Sequence, residues 1–170
     1  DTAQDYARAF RVSAAWILYG EGVARSEAQP DDVLGDMIPL YDVAASAGNG
    51  SIVDYEPIIE QISLPRDYLR KITKSNPKNL AIISVKGDSM ERTLRDDDVV
   101  MLDRSKTNLD YDGMFVIRSG EALLVKRVMR STKPGYITVV SDNREIYPPQ
   151  EHPADQVVVI GKVVWYGRRV

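Results

Sequence analysis

Residues 80–94 read LAIISVKGDSMERTL: a largely apolar run from Leu80 to Val85, a turn at Lys86-Gly87-Asp88, then Ser89 at the head of a short helix-compatible stretch. A short run rich in β-branched residues and closed by Gly and Asp reads as a strand leading into a turn. The same grammar recurs on both sides of it, with strands expected near 37–43, 81–86, 97–102, 113–118, 121–129, 136–140 and 156–166. Ser119-Gly120 lies between two apolar runs and fits a tight hairpin turn, so those runs should pair antiparallel. The segment Pro65 to Ser75 reads as a short helical or irregular connection. The fold class expected for residues 37–170 is therefore mainly β.

Upstream the period changes. Ala3, Ala7, Phe10, Ala14, Ile17 and Leu18 recur at spacings of three and four, the pattern of one amphipathic helix or two short ones. Ser13 can cap a second helix that Gly20 closes. From Glu21 to Asp36 the composition shifts to Gly, Ala, Ser, Pro and acids, which marks a linker. The chain opens at Asp1, inside this helical pattern and without Met, and so reads as a piece of something longer.

Composition narrows the chemistry. The 170 residues include no Cys and one His, His152, which argues against thiolate nucleophiles, disulfides and multi-histidine metal sites; no cofactor or metal is expected. No apolar run approaches the roughly 18 to 20 residues that cross a bilayer, so the chain reads as soluble and cytoplasmic. The net charge of -3 is uneven: residues 1–40 carry three basic groups against seven acids, and the other 130 residues sum to +1. Neither part has the dense basic clustering of a nucleic-acid binder.

Two residues stand out as possible partners in nucleophilic chemistry. Ser89, just after a strand and at the start of a helical turn, lies near unpaired backbone N–H groups and the positive end of a helix dipole, the ingredients of an oxyanion hole; equally it can serve as a simple N-cap. In EALLVKRVMR, residues 121–130, period-2 alternation puts Lys126 on a face with Ala122, Leu124 and Val128. Burial there penalises the ammonium and frees a neutral amine to act as base, whereas a lysine at an edge would simply snorkel to water. His152, in the polar segment Glu151-His152-Pro153, is the alternative base and reads as a solvated loop residue.

Taken together, Gly87-Asp88-Ser89-Met90 and, 37 residues beyond the serine, Lys126 in Leu124-Val125-Lys126-Arg127-Val128 resemble the LexA and phage-repressor family of Ser-Lys peptidases. Val140-Ser141-Asp142-Asn143, Tyr147-Pro148 and Ile160-Gly161-Lys162-Val163-Val164 are similar to the same domain, over about residues 37–170. The pattern Ala7-x-x-Phe10-x-Val12-Ser13-x-x-Trp16-Ile17-Leu18-x-Gly20-Glu21-Gly22 resembles the last helices of a repressor helix-turn-helix domain. The resemblance implies a remnant of that domain over 1–22, a linker over 23–36 and a self-cleaving, dimerising peptidase domain over 37–170. It further implies Ser89 as nucleophile, Lys126 as base and the backbone N–H groups of Asp88 and Ser89 as oxyanion donors. The scissile bond would be Ala47-Gly48, in a stretch that otherwise reads as a flexible loop. A homodimer, a RecA filament as the stimulating partner and operator DNA bound by the missing N-terminal part complete that picture. A dimerisation module of the same fold, switched by an antirepressor protein without cleavage, is the rival reading. A signal peptidase with the same dyad would call for a membrane anchor, for which the sequence offers no segment.

Overall fold

The computed structural model of the chain describes residues 35–41, 58–120 and 122–168. The chain divides into two units, Asp1–Gly35 and Asp36–Val170, and all of the described residues but Gly35 belong to the second. The helical segment expected over 1–22, all but the last two residues of the expected linker, and Ala47-Gly48 lie outside the described residues.

Among the described residues nine strands form one sheet: β1 (Asp36–Tyr41), β2 (Ile58–Leu64), β3 (Leu80–Ser84), β4 (Val99–Asp103), β5 (Gly113–Ser119), β6 (Ala122–Arg130), β7 (Tyr136–Val140), β8 (Gln150–Pro153) and β9 (Val158–Gly167). A short helix, α1 (Arg66–Ile72), links β2 to β3. The order across the sheet is β2-β1-β3-β4-β9-β5-β6-β7-β8, and every described pairing is antiparallel except β1 with β3. The chain is mainly β, as its short apolar runs require.

Three apolar clusters hold the sheet. Ala81, Ile83, Val100, Leu102, Val116 and Val125 pack with Met90 and Leu94; Ile38, Leu69, Leu80, Ile82 and Met101 form a second cluster under α1. Phe115, Ile117, Val128 and Ile137 form the third, on the face that carries Lys126. The first matters most for the site. Met90 and Leu94 flank the turn that begins at Ser89, and their burial fixes that turn to β3, β4 and β5.

The structure corrects several sequence expectations. Two strands go beyond those expected: β2, whose residues are mostly exposed and which ends the sheet at one edge, and β8, four residues long with a terminal proline, which ends it at the other. His152 accordingly lies in β8, paired with Ile137, and not in a loop. Edge strands have no second neighbour to satisfy, so they need neither strict alternation nor proline-free sequence. The stretch after Ser89 forms successive turns instead of a helix: Glu91 N–H bonds to the Asp88 carbonyl and Leu94 N–H to that of Met90, while Arg92 has φ of 84°. That left-handed residue breaks the helical repeat, and the helix-dipole contribution expected at Ser89 is absent. The hairpin pairs Ser119 with Ala122, so Ser119 ends the strand instead of entering the turn, and Gly120 follows at φ 59°. Strand β9 lies between β4 and β5 with both edges hydrogen-bonded.

Candidate active site

Ser89 follows β3 through a backbone reversal at Gly87, whose φ of 84° lies in the left-handed region open to glycine. The Gly87 N–H donates to Asp96 Oδ1 at 2.7 Å, tying the start of the turn to the segment before β4. On the far side, the Asn143 N–H donates to the Ser89 carbonyl at 3.1 Å and its side-chain amide to the Asp88 carbonyl at 3.4 Å. The serine is thus held from both sides and from below. Among the described residues, the backbone N–H groups of Asp88 and Ser89 have no acceptor.

Lys126 comes from the middle of β6, opposite Phe115 of β5. It is only 8% exposed, and none of the ion pairs among the described residues includes it. Its Nζ donates to Ser89 Oγ at 2.6 Å and to Ser141 Oγ at 2.9 Å. Burial pulls this ammonium below the ordinary lysine range, against a smaller upward pull from Asp88. Register explains the meeting with Ser141: β6 and β7 pair Arg127 with Val140, so the next residue along β7 arrives beside Lys126.

A second set of contacts frames these three side chains. Arg127, next to Lys126, grips the carboxylate of Asp142, next to Ser141, through Nε–Oδ1 at 2.6 Å and Nη2–Oδ2 at 3.0 Å. Thr93, four residues beyond Ser89, donates to the same carboxylate. Burial pushes the Asp142 carboxyl up, but the bonds from Arg127 and Thr93 outweigh it and leave it below the usual carboxylate range. Tyr147 closes the near wall: its hydroxyl donates to Asp88 Oδ1 at 2.7 Å, and its ring centroid lies 5.6 Å from Lys126 Nζ.

Ser89 and Lys126 open into a cleft of about 760 Å³. Apolar side chains of Ile117, Leu124, Val139 and Val157 line one part, and Lys86, Asp88, Arg118 and His152 supply its charged and titratable groups. His152 therefore shares the cleft, yet no hydrogen bond joins it to Ser89; Lys126 holds that position. Residue-by-residue reading of the sequence gives no role to Ser141, Tyr147 or the Arg127–Asp142–Thr93 set. Only the β6–β7 register, resolved to the single residue, could reveal Ser141 beforehand.

A buried lysine bonded to a serine hydroxyl, with backbone N–H groups beside the serine and a cleft in front of it, brings together the groups that nucleophilic chemistry on a serine needs. The chain belongs to the peptidase S24-like family, whose model matches residues 39–164. It is 32% identical over 132 residues to the 26 kDa repressor protein of Escherichia phage HK022, covering 75% of this chain and 55% of that protein. It is also 33% identical over 92 residues to an uncharacterized HTH-type transcriptional regulator of Haemophilus influenzae, covering 52% and 38% respectively. The chain spans about half the length, or less, of these curated relatives. No helix among the described residues is long and apolar enough to cross a membrane.

Proposed function

We propose that this chain is the C-terminal part of a transcriptional repressor that inactivates itself by cutting its own Ala47-Gly48 bond. The observation that carries the reading is the 2.6 Å contact between Lys126 Nζ and Ser89 Oγ in a setting that disfavours the ammonium. Neutral Lys126 takes the hydroxyl proton as Ser89 Oγ attacks the Ala47 carbonyl carbon. The N–H groups of Asp88 and Ser89 receive the developing oxyanion, and the protonated lysine returns its proton to the Gly48 amine as the peptide bond breaks. Water, deprotonated by the same lysine, then hydrolyses the acyl-serine. Ser141 holds the amine in line throughout.

Cutting at this position separates the DNA-contacting part from the part that dimerises. A dimer engages two half-sites through one linkage, and the effective concentration that linkage provides is lost when it is cut. Stimulation by a RecA filament, acting on the position of the cleavage segment, is part of the same proposal. A module that only dimerises and answers to an antirepressor has no use for a lysine buried on a serine hydroxyl, which favours the hydrolytic reading. Incubating the chain at alkaline pH and sequencing the products by mass spectrometry tests it: two fragments should appear, one ending at Ala47 and one beginning at Gly48. An intact chain after prolonged incubation rejects self-cleavage.

A further inference from the structure

Among the described residues lining the cleft, Asp88 is the one carboxylate, set against Lys86, Arg118, Lys126 and His152. It is also the residue next to the nucleophile, and its placement is not left to chance. The Tyr147 hydroxyl fixes Oδ1 at 2.7 Å, while Asn143 bonds to the carbonyls of both Asp88 and Ser89. The same Tyr147 ring lies 5.6 Å from Lys126 Nζ, so one side chain spans from the carboxylate to the amine. The other charged groups near Lys126 do not compete for this role. Lys86 pairs with Asp97, Arg127 is turned to Asp142, and Lys162 lies against the ring of Phe115, the cross-strand neighbour of Lys126.

We propose that Asp88 is an electrostatic brake on the base: its carboxylate, anchored by Tyr147, holds Lys126 in the inactive ammonium form near neutral pH. The inference rests on the Ser89–Lys126 reading above and deepens it. Two influences on Lys126 oppose each other: burial favours the neutral amine, and the Asp88 carboxylate favours the ammonium. A self-cutting protein that must persist until signalled needs the second as much as the first. Anything that neutralises or displaces the Asp88 side chain, including a partner that moves Tyr147, then releases base without rebuilding the site. The Tyr147 hydroxyl stays protonated through this range, because its bond to Asp88 and the carboxylate charge push its own titration up.

The test titrates Lys126 directly, by carbon-13 NMR of its side chain in lysine-labelled 170-residue protein carrying Ser89→Ala, so that no cleavage intervenes. The resonance is assigned by its loss in Lys126→Arg. Adding Asp88→Asn should lower the titration midpoint by roughly half a unit to one unit, a modest share of what a nearby opposite charge can do. With Ser89 restored, Asp88→Asn should raise the cleavage rate at pH 7 by the same factor, about three- to tenfold, because the rate follows the neutral fraction. Asp88→Ser removes the charge differently and should shift the midpoint in the same direction. An unchanged midpoint in both variants, or a rate raised equally at every pH, overturns the brake. A shifted midpoint without fragments at any pH supports the control of Lys126 by Asp88 and rejects self-cleavage instead.

Discussion

Arg127 and Asp142 form a two-bond ion pair, Nε–Oδ1 at 2.6 Å and Nη2–Oδ2 at 3.0 Å, each standing one residue along the chain from a member of the site, Lys126 and Ser141. Arg127 is on the opposite face of β6 from Lys126, so the pair braces the strands beside Lys126 and Ser141 without bonding to Ser89 or Lys126. With Thr93 as the third member, it binds the serine turn, β6 and the end of β7 into one frame.

Asp142→Ala should therefore destabilise the domain by about 1–3 kcal/mol, the cost of leaving a charged partner without its acceptor at a half-buried site. Urea unfolding measures it. Thr93→Val, which removes one bond and keeps the shape, should cost less than Asp142→Ala.

Acid sensitivity follows from the same carboxylate and from Asp98, which is 2% exposed and held below the usual carboxylate range first by its hydrogen bonds from Arg168. Both have folded-state pKa values below the unfolded value of about 3.9. Their contribution to stability is thus complete above that value and is lost as pH falls through the lower, folded-state values. Unfolding measured between pH 5 and 2 should show the loss in the parent, and Asp98→Asn should flatten part of it. An unchanged acid limb in that variant contradicts the assignment.

Gly161 lies where β9 crosses close to the end of β4: an added Cβ would stand 2.6 Å from the Asp103 carbonyl oxygen and 3.1 Å from the Arg104 Cα. Both obstacles are backbone. Gly161→Ala should cost roughly 1–3 kcal/mol through forced strand displacement. Gly120→Ala, with open space around its Cβ, should lose stability only through its positive φ. Paired thermal melts separate the two.

For association, the expectation is a dimer formed by residues after about Met37. Both edges of β9 are already paired, so a partner would have to contact its exposed side chains, Val158 and Tyr166 among them, rather than extend the sheet there. Sedimentation at tens of micromolar should give twice the chain mass; a clean monomer contradicts the expectation.

Much of the sheet is legible in the sequence because its inner strands are apolar on at least one face: β3, β4, β5, β6, β7 and β9 all follow from local pattern. The edges do not, since Ile58–Leu64 mixes charge with apolar residues on an exposed ribbon and Gln150–Pro153 reads as loop by composition. In the site, local pattern makes Ser89 and Lys126 candidates only, since an N-cap and a snorkelling lysine read equally well, and it is the resemblance carried by Gly87-Asp88-Ser89-Met90 and Leu124-Val125-Lys126-Arg127-Val128 that joins them. Ser141, Asp142 and Tyr147 cannot be given roles, because their meaning lies in a one-residue register and in a loop that folds back on Asp88.

Substitutions at the dyad separate the base from its rival. Ser89→Ala and Lys126→Ala should each abolish cleavage while leaving the fold intact, and His152→Ala should leave it unchanged, since His152 lies in the cleft without bonding to Ser89. Loss in the His152 variant together with retention in the Lys126 variant would assign the base to the histidine.

The most direct measurement is the rate of fragment formation as a function of pH from 7 to 10, at several protein concentrations. Lys126 is drawn below its ordinary range by burial, and only its neutral form can accept the serine proton, so the sign is fixed: the rate rises as pH climbs and levels off above the lysine's midpoint. It should be first order and independent of concentration, because serine and scissile bond belong to one chain. A profile that saturates near pH 6.5 and gains nothing above pH 8 is that of a histidine base and would contradict the account.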